Sequence, residues 1–382
     1  MKIKDICLGV TDGSHNPPQG QESGDYLMLS SKNVFDGQIT FDNPRYLSQT
    51  DFEQENKRTE IKSGDVLLTI VGSVGRVAVV GANMPQFTLQ RSVAVLHPNT
   101  EICSSRYLMY ALRAKRNYIE SRAKGVAQKG IYLKEVSEIE LQIPLASEQI
   151  SRVETLDGIS SVIKSRQQQL QKLDELVKAR FVEMFGNMVY NPNGWKKVNL
   201  GSVCDVRDGT HDSPKYFPVG YPLVTSKNVT SGRIDFTDCG LICKEDYDKI
   251  NERSRVDFGD ILMPMIGTVG KPVVVDIDAD FAIKNVALIK FYEDSKVINT
   301  FVRALLQSDY FDRAVISKIR GGTQKFIALS DIRKLEFYLP PMDTQNQFAA
   351  FVGQTDKAKL VVQKALDETQ LLFDSLMQKY FR

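Results

Sequence analysis

Five short motifs occur twice in this chain, in the same order and at a nearly constant spacing. Asp12-Gly13-Ser14-His15 returns as Asp208-Gly209-Thr210-His211, and Ser31-Lys32-Asn33-Val34 as Ser226-Lys227-Asn228-Val229. Gly64-Asp65-Val66-Leu67 returns as Gly259-Asp260-Ile261-Leu262, and Gly72-Ser73-Val74-Gly75-Arg76 as Gly267-Thr268-Val269-Gly270-Lys271. Gln128-Lys129 returns as Gln324-Lys325, and every pair is separated by 195 or 196 positions. That period is several times longer than the roughly 20–50 residues of a solenoid repeat. The chain must therefore hold two similar domains, each with its own core, and a molecule so built meets its target at two places. The 382 residues are enough for both.

Each repeat divides into a mixed α/β part and a long polar helix. In the first, Val66–Val71, Val77–Val80 and Val93–Leu96 are short β-branched runs bounded by glycine or proline and read as strands. Arg106–Tyr118 has helical apolar spacing, and Leu141-Gln142-Ile143-Pro144 reads as a closing strand. A helix is predicted from about Ser147, taken as its N-cap, to Phe185. Its apolar positions recur every seven residues at Leu156, Ile163, Leu170, Val177 and Met184, with Ile159 and Leu173 in a second register interrupted by Arg166 and Arg180. That is an imperfect coiled-coil seam. The final helix, about Thr344–Phe381, repeats it at Val352, Lys359, Leu366, Phe373 and Tyr380, with Thr355, Val362, Thr369 and Leu376 as the second register and Lys359 as the flaw.

The predicted boundaries are 1–146 and 195–341 for the α/β domains, 147–186 and 342–382 for the helices, and 187–194 for a turn-rich linker. Two open arrangements remain for the helices: packed antiparallel against each other, or each on its own domain. The sustained heptad favours the first, with Leu156, Ile163, Leu170, Leu173, Val177, Val352, Val362, Leu366, Phe373 and Leu376 as the interface.

The chain offers little recognisable chemistry. No apolar run is long enough to cross a bilayer, and no signal peptide is visible, so a cytoplasmic location is expected. Five cysteines are odd in number, and Cys239 and Cys243 lack a second pair to complete a zinc tetrahedron. Asn16-Pro17-Pro18-Gln19 begins like an adenine-methyltransferase motif, but glutamine stands where an aromatic stacks on the flipped base. Gly267-Thr268-Val269-Gly270-Lys271-Pro272 has the wrong glycine spacing for a phosphate loop, and proline occupies the Ser/Thr position. Ser14-His15 adjacency is not a nucleophile in an activating setting. Catalytic and metal residues are thus expected to be absent.

What repeats is polar, loop-borne and suited to phosphates and base edges. The candidates are Ser14, His15, Lys32, Asn33, Arg76, Gln128 and Lys129 in the first half. In the second half they are Thr210, His211, Lys227, Asn228, Lys271, Arg320, Thr323, Gln324 and Lys325. Asn and Gln can pair with adenine, Arg and Lys with guanine, and all reach phosphates. For each of them a solvated turn is the competing reading. With 49 basic and 47 acidic side chains, net charge +2, the chain would have to gather its basic groups on one face to hold DNA.

Taken together and in order, these motifs resemble the DNA-specificity subunits of type I restriction-modification systems. Carrying the resemblance are Ser-Lys-Asn-Val after a strand, Gly-Asp-hydrophobic-Leu before Gly-Ser/Thr-Val-Gly-Arg/Lys, and Gly321-Gly322-Thr323-Gln324-Lys325-Phe326-Ile327. Leu339-Pro340-Pro341 before a glutamine-bearing helix and the junction Asn191-Pro192-Asn193-Gly194-Trp195 complete it. It implies an α/β (α+β) fold of two tandem target-recognition domains, separated by two long antiparallel coiled-coil helices, with a pseudo-two-fold internal repeat. It also implies that each domain reads half of a split site in double-stranded DNA while the helices fix the spacing. Two methyltransferase (M) subunits and the restriction/motor (R) subunits would dock through the helices, bringing S-adenosylmethionine, ATP and magnesium, none of which this chain would bind. A stand-alone methyltransferase or nuclease with degenerate motifs is the alternative. One departure stands out: Gly130 lies opposite Phe326, so the first domain's Gln128 loop is expected to dock differently.

Overall fold

The computed structural model describes residues 1–382 except 126–128, 231, 267–269, 279 and 319–325. The chain forms two compact units, residues 1–167 with 365–382, and residues 168–364.

In the first unit a four-stranded antiparallel sheet runs in the order Cys7–Asp12, Val93–Pro98, Val66–Thr69, Val77–Val79. Beside it lies a three-stranded sheet, Arg45–Leu47, Tyr26–Leu29, Phe87–Leu89, whose last pair is parallel. The second unit repeats both orders: Asp205–Asp208, Val286–Lys290, Ile261–Pro264, Val273–Val274, and then Gly240–Ile242, Tyr221–Thr225, Ala282–Lys284. The helices correspond as well, Gln49–Thr59 with Lys244–Ser254 and Ser105–Ala114 with Asn299–Leu306. The duplication read from five motifs is thus a duplication of topology.

The reason Val66-Leu67-Leu68-Thr69 is uniformly apolar rather than alternating is that both faces of its sheet are covered. Val66 and Leu68 join one core with Ala94, Leu96, Tyr107, Leu108 and Leu112. Leu67 points the other way and joins Leu27, Leu29, Val93, Val95 and Phe87. In the second unit Ile261 and Met263 face Phe301, Leu305 and Phe337, while Leu262 faces Val224, Ile283 and Leu288.

The long helices span Ala146–Phe185 and Met342–Phe381. In the first unit Leu156, Ile159 and Ile163 pack with Phe373, Leu376 and Tyr380. In the second, Val177 and Met184 pack with Phe348 and Val352. The start of each helix thus meets the end of the other, which makes the pairing antiparallel. Along the remaining seam Leu170, Leu173, Val362 and Leu366 are half-buried. The two polar interruptions have partners: Arg166 donates to the carbonyl of Ala365 and the hydroxyl of Thr369, and Lys359 Nζ lies 2.6 Å from an oxygen of Asp174.

Each helix also packs on the α/β domains, at its start on its own and at its end on that of the other repeat. Phe373 touches Tyr110 with ring centroids 6.3 Å apart, and the Tyr110 hydroxyl donates to Asp157 at 2.5 Å. Outside the heptad registers, Phe181 stacks on Phe301 at 5.8 Å and Phe185 meets it edge-to-face at 4.9 Å. Each helix therefore carries two apolar faces, one for its partner helix and one for the domain, and a seven-residue count registers only the first.

A pair of buried glutamines fixes this docking. Gln149 donates to the carbonyls of Ile102 and Pro144 at 2.8 and 3.0 Å and accepts from the Ser104 N–H at 3.0 Å. Gln345 does the same with Lys296, Pro340 and Ile298 at 2.9, 2.9 and 3.1 Å.

Three local expectations differ. The helix expected over Arg106–Tyr118 is two, Ser105–Ala114 and Arg116–Arg122, because the chain turns at Lys115. Leu141–Pro144 is not a strand: only Glu140 bridges Lys2, whereas its counterpart Glu336–Tyr338 pairs with Lys197–Asn199 over three residues. Ser147 is not the N-cap, since the helix starts at Ala146 and the Leu145 carbonyl accepts from the Glu148 and Gln149 N–H groups.

Candidate nucleic-acid interface

The Asp-Gly-Ser/Thr-His segments leave the edge strand of each four-stranded sheet and cross the end of the smaller sheet. A Cβ on Gly13 would lie 2.1 Å from the Leu89 carbonyl oxygen, and one on Gly209 2.2 Å from that of Ile283, so only glycine permits the crossing. Ser14 and Thr210 then donate backbone N–H groups to those carbonyls at 2.7 and 2.9 Å. The crossing buries Ser14 and leaves His15 and His211 exposed.

Both histidines lean on the aspartate three residues earlier, Nε2 to Oδ2 at 2.8 Å for His15–Asp12 and 2.9 Å for His211–Asp208. His211 Nδ1 also lies 2.8 Å from Asn285 Oδ1. The Asn285 contact, and after it Asp208, raises the His211 pKa from the ordinary histidine value. The other oxygen of each aspartate is taken by an arginine that the sequence did not single out, Arg58 at 2.5 Å and Arg253 in the second unit.

Within Ser-Lys-Asn-Val the two candidates separate. Lys32 and Lys227 are at the surface and available to a backbone. Asn33 and Asn228 are buried, and their amides are spent locally. Asn33 accepts from the Ser30 N–H at 3.1 Å and donates to the Asp42 carbonyl at 3.0 Å. Asn228 accepts from the Thr225 N–H at 3.0 Å and donates to the Asp235 carbonyl at 3.1 Å. Each asparagine shapes the turn that carries its lysine.

Gly-Asp-hydrophobic-Leu is also a scaffold. Asp65 and Asp260 are buried and accept from the N–H three residues back at 2.6 and 2.8 Å. His97 and Lys290, at equivalent positions of the neighbouring strand, hold their carboxylates at 2.9 and 2.6 Å.

Arg76 and Lys129 converge on a cleft of about 410 Å³ that Arg116 also lines, with Glu120 at its side. Arg76 sits 5.0 Å from the centroid of the Phe35 ring, and Arg116 donates to Asp36 at 2.6 Å. In the second unit Lys271 is exposed. Gln128, Arg320, Thr323, Gln324 and Lys325 lie outside the described residues, as does Gly267-Thr268-Val269. The departure at Gly130 does not change how its loop leaves. Gly130 bridges Val71 as Phe326 bridges Ile266, and Ile131 and Ile327 donate to Ile70 and Met265 at 2.9 and 3.0 Å.

Asn16–Gln19 is a loop whose Pro18 carbonyl accepts from Arg45 at 2.6 Å. All five cysteines are free, and burial pushes the Cys7, Cys103 and Cys204 thiols up to about 12. Among the described residues no group of three His, Cys, Asp or Glu side chains could hold a metal ion. Among them, too, no helix is long and apolar enough to cross a membrane.

The model of the type I restriction modification DNA specificity domain matches residues 1–175 and again residues 192–368. The chain belongs to that family. Its two copies of the specificity domain coincide with the two runs of duplicated motifs. Among relatives, it is 22% identical over 338 residues to the type I restriction enzyme MjaVIII specificity subunit of Methanocaldococcus jannaschii, covering 82% of this chain and 77% of that one. It is 21% identical over 325 residues to the EcoBI specificity subunit of Escherichia coli, covering 77% and 68%. Its fold is similar to that of a type I restriction-modification S subunit from M. genitalium, with TM-score 0.55, 15% identity and 100% and 95% of the two chains covered. A chain solved in work on complex assembly and conformational transition of the type I R-M system gives TM-score 0.57 at 17% identity, covering 99% and 96%.

Proposed function

We propose that this specificity-domain protein is the DNA-sequence-specificity subunit of a type I restriction-modification complex. Each unit recognises one half of a bipartite double-stranded site, and the paired helices hold the half-sites at fixed spacing. The observation that carries this reading is that the two units share one strand order while their exposed loops differ in sequence. A common frame with different readers gives two unlike half-sites separated by unspecified bases.

The chemistry of modification and cleavage belongs to M and R subunits, which supply S-adenosylmethionine, ATP and magnesium in the cytoplasm. Support for docked partners comes from the second long helix, where Leu360, Val361, Leu371 and Leu372 stand in solvent. Selecting bound duplexes from a randomised pool with the purified chain tests the reading. Enrichment of two different short motifs at constant separation is expected; a pool without a shared motif would refute it. Incubating the chain alone with DNA and labelled S-adenosylmethionine checks the enzymatic alternative, and no methyl transfer is expected.

A further inference from the structure

Resting on the DNA reading above, we propose that Asp12 and Asp208 are positioning residues, each presenting an arginine–histidine pair to a DNA backbone phosphate. The pairs are Arg58 with His15 and Arg253 with His211. The structure brings the three side chains together from two places in each repeat. Asp and His come from the strand end, while the arginine sits in the last turn of the helix Gln49–Thr59 or Lys244–Ser254.

The carboxylate holds its pair in the same way in both units, while His211 Nδ1 is also held by Asn285 Oδ1 at 2.8 Å, so that in the second unit the free donors among the described residues are those of Arg253. Asp12 takes Arg58 Nη2 on Oδ1 at 2.5 Å and His15 Nε2 on Oδ2 at 2.8 Å. Asp208 takes Arg253 Nη2 on Oδ1 and His211 Nε2 on Oδ2. The carboxylates are 8% and 11% exposed, whereas the bases they hold are 51–67% exposed. A single buried anion thus fixes a guanidinium and an imidazole side by side at the surface. The donors left over point a ligand to the pair: Arg58 spends Nε and Nη2 on Asp12, and Nη1 has no partner among the described residues. Nε and Nη1 of Arg253 are in the same position. Beside His211 and Arg253 runs a cleft of about 390 Å³ that Lys249 and Asp246 also line.

The choice of phosphate over base follows from the repetition. Two domains that read different half-sites share this trio unchanged, and the feature common to every duplex is its backbone. A tie between helix and strand would need only the arginine; the histidine on the second oxygen places an imidazole at the surface beside it.

The test uses the full chain and a fluorescent duplex of mixed sequence, with affinity measured by anisotropy across a salt series. Arg58→Gln and Arg253→Gln are each expected to weaken binding about tenfold and to lower the log–log salt slope by about one. Asp12→Asn and Asp208→Asn make the protein more positive, so a simple field effect would tighten binding; loss of positioning weakens it instead. Asp25→Asn, an exposed control, is expected to tighten it slightly. Where an Asp variant does not fold, the arginine variants decide. Arginine variants that melt earlier yet bind with unchanged affinity and slope would overturn the proposal and leave a structural tie. A wild-type chain that holds no duplex would overturn the DNA reading and this proposal with it.

Discussion

Replacing Gln345 with leucine removes a side chain that is 0% exposed and makes three hydrogen bonds to backbone groups. The change conserves bulk, so the loss falls on the carbonyls of Lys296 and Pro340 and the N–H of Ile298. A buried polar group left without a partner costs about 1–3 kcal/mol. Three of them, with some relaxation toward water, give about 3–6 kcal/mol. Trp195 is the only tryptophan and lies against Phe185, 6.3 Å between ring centroids, in the core that Phe348 and Val352 of the same helix help to build. Its fluorescence therefore reports unfolding of this unit in urea. With an m-value of about 2–3 kcal/mol/M, the midpoint is expected to fall by about 1–3 M. Gln354→Leu, on an exposed face of the same helix, is expected to stay within about 0.5 kcal/mol. A Gln345→Leu loss below about 1 kcal/mol would refute the idea that this amide pins the helix to its domain.

Other outcomes are expected. Gly209→Ala drives a Cβ to 2.2 Å from the Ile283 carbonyl oxygen and should abolish folding of that unit or cost several kcal/mol, read by the same urea titration. Lys359→Leu completes the heptad seam at the cost of ion pairs with the exposed Asp174 and Asp356, and should leave stability unchanged or raise it by about 1–2 kcal/mol. Lys32→Ala and Lys227→Ala, if phosphate contacts, should weaken all duplexes alike and each lower the salt slope by about one, whereas altered sequence preference would mark base readers. The raised pKa of His211 means that the fold favours its protonated form. Its contribution is complete below the ordinary value of 6.5 and is lost as pH rises through the higher folded value. DNA affinity should fall over the same window, and His211→Gln should flatten that profile.

The sequence carried the repeat, the sheet strands and the helix seam because each is written in local period: two for a strand, seven for a coiled coil. It misplaced what depends on tertiary geometry. Arg58 and Arg253 meet their aspartates across 46 and 45 residues, and no pattern near either arginine marks the meeting. Asn33 and Asn228 stand in a polar, repeated motif, and that their amides hold the turn shows only once the carbonyls of Asp42 and Asp235 are in place. Phe181 and Phe185 escaped the heptad count because a helix serving two neighbours cannot keep one register for both. Gln149 and Gln345 were visible only as a feature of the helix; their role needed the carbonyls that surround them.

The central claim is that two different readers share one frame. Methylome sequencing of a host carrying this gene, before and after its deletion, tests it most directly. The expected result is base methylation in two unlike half-sites separated by a constant gap, lost on deletion. A continuous palindromic motif, or a bipartite one that survives deletion, would contradict it.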